Sequence, residues 1–135
     1  MSYKPFHLGD RVELDVPASG ILTSNQRQHW AVKARHTKAL RAMGAAAWAR
    51  AGRPTFDRVR LVVRVGYPDR RARDVHNLMP TVKALVDGMV HPYGRARGLL
   101  PDDSDRFLVG PDLRPDAGMP RRAGLFGFAF DMEPL

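Results

Sequence analysis

The chain has 135 residues, 44% hydrophobic and 27% charged, enough to close one core in a single compact domain and too apolar for wholesale disorder. It holds no cysteine, which excludes thiolate zinc sites, cysteine nucleophiles and disulfide frameworks together. A net charge of +8 points to a polyanionic partner.

That charge is unevenly placed. Between positions 27 and 73, thirteen basic residues stand against two acids, Asp57 and Asp69, whereas between 74 and 116 seven acids outnumber five basic residues. Nucleic-acid binding is the functional reading of the basic half. A solvated face in an arginine-biased genome is the bland one. Residues 1–20 carry Asp10, Glu13 and Asp15 and no long apolar run, so they do not read as a signal peptide. No stretch approaches the roughly 18 apolar residues of a membrane span. The expectation is a cytoplasmic protein with no membrane partner.

In chain order, Val12, Leu14 and Val16 alternate with Glu13 and Asp15, which predicts a short strand closed by Pro17 and Gly20. Ser24 or Asn25 then offers a cap, with Asn25 and Gln28 at capping-box spacing, for a helix over about 26–50 that stops at Gly52 and Pro54. Its predicted buried stripe is Val32, Ala39, Leu40, Met43, Ala46 and Ala47. Trp30 and Trp48 lie on its flanks, and a basic face lies opposite. The cleanest strand covers 58–65, with Val59, Leu61, Val63 and Val65 inward and an arginine-rich face outward. Residues 69–77 are too polar for core. A second helix follows, with Pro80 in its first turn and Val82, Leu85, Val86 and Met89 as its stripe; Lys83 and Asp87, four apart, share its other face. Residues 91–100 read as a loop. Residues 107–109 read as a third strand ended by Gly110-Pro111, 115–120 as a loop, and 125–130 as a closing strand alternating Phe126, Phe128 and Phe130. The order is β-α-β-α-β-β, an α+β domain with one mixed sheet and two helices.

The chemistry-bearing residues fall in the acidic half. Asp74-Val75-His76-Asn77 follows Arg70, Arg71 and Arg73; Lys83 and Asp87 come next; Asp102-Asp103-Ser104-Asp105 completes the set. A phosphodiester cut by water needs a hard divalent cation, which takes two or three carboxylates, and a lysine nearby can steady charge on the phosphate. The same residues also serve as turn formers, caps and solvated side chains.

Arg73-Asp74-Val75-His76-Asn77, then Lys83-Ala84-Leu85-Val86-Asp87, then Leu100-Pro101-Asp102-Asp103 resembles the signature of the RusA family of Holliday-junction resolvases. Ser24-Asn25-Gln26-Arg27 ahead of a basic helix is similar to that family's opening, so the resemblance spans most of the chain. It implies a homodimeric, magnesium-dependent endonuclease, often phage-encoded, that nicks four-way DNA junctions in recombination and repair without a nucleotide cofactor. Carried over, it makes Asp74 and Asp103 metal ligands, Lys83 the catalytic lysine, and Asp102 an acid at the metal, with Asp87 and Asn77 in support. The basic helix residues Arg27, Lys33, Arg35, Lys38 and Arg41 would hold phosphates. So would Arg60 and Arg64 on the strand, and Arg70, Arg71 and Arg73 before the motif. His76 stands where the family carries an Asp, and the spacings before Lys83 and Asp102 are longer. An imidazole there suits manganese better than magnesium, or could act as a general base. The alternative expectation is a junction-binding or general nucleic-acid-binding protein of this fold with weak or no cleavage.

Overall fold

The computed structural model describes residues 11–71, 73–94 and 97–135. Asp10 and part of the 91–100 loop lie outside them. Among the described residues the element order is the expected one. β1 (Arg11–Pro17), α1 (Trp30–Arg50), β2 (Val59–Gly66), α2 (Met79–Val90), β3 (Leu108–Pro115) and β4 (Leu125–Pro134) make a small α+β unit. The strands form one mixed sheet in the order β1-β4-β2-β3, parallel between β2 and β3 and antiparallel elsewhere. Among the described residues no helix is long and apolar enough to cross a membrane.

Side-chain alternation divides the sheet into two faces. Val12 and Val16 of β1, Val59, Leu61, Val63 and Val65 of β2, and Phe126, Phe128, Phe130 and Met132 of β4 point inward. Both helices bury their apolar residues in that same cluster, so they cover one face. The other face is charged and knitted by ion pairs: Arg11 and Arg64 both reach Asp131, at 3.0 and 2.7 Å, and Arg122 reaches Asp15 at 2.7 Å.

α1 begins later than expected. Its cap is His29, whose Nδ1 accepts from the Ala31 amide at 3.2 Å. The 23–26 segment forms its own turn instead, because the Gln26 side chain accepts from the Thr23 amide and donates to the Ile21 carbonyl. The same segment is tied to the second helix: Thr81, fully buried, donates to the Leu22 carbonyl and accepts from its amide.

The buried stripe of α1 is Leu40, Gly44, Ala45, Ala47 and Trp48, while Ala39 and Ala46 are exposed. The rotation has a steric cause. A Cβ on Gly44 would overlap the Leu85 carbonyl, and one on Gly88 would overlap the Arg41 carbonyl. The two backbones therefore touch where both side chains are missing, and the contact turns α1 toward that point.

α2 has its predicted stripe, with Val82, Leu85, Val86 and Met89 all buried. The third strand does not stop at Gly110-Pro111. Gly110 sits at φ 101° against the Leu61 carbonyl, and the β2–β3 register shifts between Arg60 and Val62, so a bulge absorbs the interruption and pairing resumes through Pro115. Proline at a bulge on an edge strand costs no ladder bond. β4 is likewise longer than expected, ending at Pro134.

Candidate metal centre and basic surface

The C-terminal end of α2 is where acidic side chains converge. Asp87 is in the last turn of α2 and His91, four residues on, is its C-cap, whose amide donates to the Asp87 carbonyl at 2.8 Å. The chain then folds back over the helix end. Gly98 and Leu99 donate to the Val90 and Met89 carbonyls, which leaves Leu99 and Leu100 fully buried. A Cβ on Gly98 would overlap the Met89 carbonyl, so only glycine permits this return. Further on, Phe107 and Leu108 both donate to the Ser104 carbonyl at 3.0 Å. Held at both ends, residues 101–105 bring Asp103 beside Asp87 and His91. One ligand atom from each of the three lies within 4.8 Å of the others.

Two carboxylates and an imidazole at that separation suit a divalent cation with mixed oxygen and nitrogen ligands. The negative end of the α2 dipole adds favourable potential for positive charge there. Asp87 is already paired with Arg41 of α1 at 3.0 Å, so an incoming cation would share or displace that guanidinium.

Asp87 separates two clefts. One, of about 340 Å³, is lined by Lys83, Asp87, Asp103, Asp105 and the Gly110-Pro111 bulge. The other, of about 710 Å³, is lined by Lys38, Arg41, Asp87, His91 and Tyr93. The acidic cluster therefore has a lysine on one side and the basic face of α1 on the other.

The three clustered residues are not the four expected as metal ligands, Asp74, His76, Asp102 and Asp103. Of those four, Asp103 belongs to the three-residue cluster. Asp74 and His76 pair with each other instead. The Asp74 carboxylate caps the 3-10 turn Val75–Leu78, accepting from the His76 amide at 3.0 Å and lying 3.1 Å from its Nδ1. Those two bonds hold the Asp74 carboxyl below the usual carboxylate range. Asp102 accepts from the Asp103 amide at 2.8 Å and so shapes the turn that presents its neighbour. Asn77 is bound through its backbone, donating to the Asp74 carbonyl and accepting from Ser24. Asp87, expected in support, is a full member of the cluster, and His91 was missed. The signal for it was its i,i+4 spacing from Asp87; its closeness to Asp103 depends on the chain reversal at Gly98, which spacing does not encode.

The basic residues sort by location. Arg27, Lys33, Arg35, Lys38 and Arg41 are exposed on or just before α1. Arg60 and Arg64 are exposed on the sheet face away from the helices, and Arg64 is bonded to Asp131. Arg70 and Arg71 are exposed, with Arg71 3.6 Å from Asp69. Arg73 departs from the expected phosphate contact: its side chain is 19% exposed, and it spends both ends of its fork on Asp69 at 2.6 and 3.0 Å.

Compared with known protein families, the chain matches none, and no curated protein matches it either.

Proposed function

We propose that this chain is a metal-dependent DNA endonuclease acting on four-way junctions, the activity its resemblance to the RusA family implies. The observation that carries the reading is the Asp87–His91–Asp103 cluster, with Lys83 in the adjoining cleft and the basic face of α1 alongside. Carboxylates repel a phosphodiester, so their presence in a basic cleft makes sense when a cation lies between them and the substrate. Bound there, a divalent ion would supply Lewis-acid polarisation of the phosphate and a water of lowered pKa. The imidazole in the set favours manganese over magnesium.

The chain's own residues do the rest. Lys38, with Lys33 and Arg35 on the same helix, holds the flanking phosphates and fixes the register of the strand. The Lys83 ammonium faces the charge that builds on the phosphoryl oxygens as water adds and the ester bond breaks. Two opposed nicks require two copies of the site, which a symmetric dimer supplies.

The test is a labelled synthetic four-way junction incubated with magnesium or manganese. Paired nicks are expected with the wild type. Asp103→Asn and Asp87→Asn should lower the cutting rate by about a hundredfold or more while junction retention in a gel stays near wild type, because they remove metal rather than phosphate contacts. Full activity in Asp103→Asn would remove the site assignment. A second reading, a junction-binding protein without cleavage, is favoured by the mutual pairing of Asp74 and His76 outside the cluster. Tight junction binding with no product under either ion would establish that reading in place of the first.

A further inference from the structure

The chain has two tryptophans, and their surroundings are opposite. Trp48 is 4% exposed and its indole donates to the Pro54 carbonyl at 2.8 Å. Trp30, the first residue of α1, is 76% exposed. A single exposed apolar side chain is ordinary on a protein surface. Three further features of Trp30 are not.

The first is a second ring. The His29 imidazole lies 5.4 Å from the indole, centroid to centroid, at an interplanar angle of 32°. The second is anchorage. His29 is the helix cap, its Nδ1 engaged by the Ala31 amide, and Trp30 has helical backbone, so neither ring is on a free loop. The third is the charge around them. Arg27 and Lys33, three residues to either side of Trp30, are both exposed. No Asp or Glu occurs anywhere from Val16 to Phe56, while seven Arg and Lys do.

We infer that Trp30 and His29 form a stacking shelf for an unpaired base, with Arg27 and Lys33 holding the phosphates that flank it. Every base has a π-face, so an aromatic shelf between cations takes single-stranded DNA with little sequence preference. A paired base inside duplex does not offer that face, whereas a strand opened at a branch point does. Charge selects this occupant over a second copy of the chain. A symmetric contact through this patch would bring two copies of Arg27 and Lys33 together, and the segment from Val16 to Phe56 has no acid to pair them. The inference rests on the nucleic-acid half of the proposed function and not on cleavage.

Because Trp48 is buried, Trp30 emission is the component that an outside base can quench. The experiment titrates the full chain with oligothymidylate and with blunt duplex, in EDTA and at low salt, reading tryptophan emission and affinity together. Oligothymidylate should quench the wild type strongly. Trp30→Ala should abolish that quenching and weaken oligothymidylate roughly 5- to 100-fold, while duplex affinity stays within about twofold. Trp30→Phe should recover part of the lost affinity. The unchanged emission of Trp48 in Trp30→Ala reports that the variant is folded.

If Trp30→Ala binds oligothymidylate as tightly as wild type, or the wild type binds it without quenching, the shelf is wrong and the endonuclease reading stands. If the wild type binds no DNA of either kind, both fall together. A concentration-dependent dimer that Trp30→Ala abolishes would assign the patch to a second copy and overturn the inference.

Discussion

Arg73 shows how far a residue's chemistry departs from its letter. In sequence it is the third arginine of a basic run ahead of Asp74. In the fold its guanidinium lies 5.3 Å from the ring centroids of both Tyr67 and Phe126 and grips Asp69 through both ends of its fork. Phe126 is 53 positions away on another strand, so no local pattern announces this role. The Arg73 hydrogen bonds come first, and the Arg71 amide second, in holding the Asp69 carboxyl far below its usual range. A carboxyl depressed on folding stabilises the native state above its unfolded pKa of about 4, and that contribution fades as pH falls toward the folded value. Urea midpoints measured from pH 7 to pH 2 should show Asp69→Asn less stable than wild type at neutral pH. The gap should narrow below about pH 4. Asp74, depressed by His76, adds to the acid loss in both proteins, so the difference between the two curves isolates Asp69. A constant gap across that range would mean that Asp69 acts through shape rather than charge.

At the scale of elements, the strands were the most legible part of the chain. β2 alternates valine and leucine with arginine, and each inward position is buried as the period of two requires. α2 was legible for a similar reason, its branched residues marking one stripe. α1 was legible as a helix but not in its contact face, because residues 42–49 are Ala, Met, Gly and Trp, apolar on every side, and the expected stripe ran through the exposed Ala39 and Ala46. Its contact face is set by the absence of side chains at Gly44 and Gly88. Alanine in a helix interior is favoured over glycine by about 1 kcal/mol. At either position, however, the added methyl meets backbone that cannot rotate away, and overpacking of this kind costs typically 1–3 kcal/mol or more. Gly44→Ala and Gly88→Ala should each lower stability by a net of about 1–2 kcal/mol, read as a lower urea midpoint at unchanged slope. Because Arg41 and Asp87 flank this crossing, spreading the helices should also loosen their ion pair. A more stable Gly88→Ala protein would mean that the helices already have room between them.

Across the whole molecule, the charge excess has two destinations that sequence does not distinguish. On the sheet face away from the helices, basic side chains meet acids: Arg11 and Arg64 share Asp131 across the strands, and Arg114 holds Asp112, two residues back on β3, at 2.8 Å. On α1 the exposed Lys33, Arg35 and Lys38 belong to a helix with no acid of its own, and Lys38 lines the cleft that reaches Asp87 and His91. The surplus field is therefore concentrated on the helix side, where the Asp87–His91–Asp103 cluster also lies. A side chain that touches phosphate in the complex releases a condensed counterion, so the slope of log affinity against log salt falls by about 0.9 for each such contact removed. Lys33→Ala combined with Lys38→Ala should reduce the slope for duplex or junction DNA by nearly 2 and weaken binding uniformly across sequences. Arg60→Ala combined with Arg114→Ala, two charges taken from the sheet face, should leave the slope unchanged. Both pairs remove the same net charge, so a simple long-range effect would move both slopes alike. The reverse result, a slope that responds to Arg60 and Arg114 and ignores Lys33 and Lys38, would put DNA across the sheet. It would also separate the DNA from the Asp87–His91–Asp103 cluster and remove the ground for cleavage there.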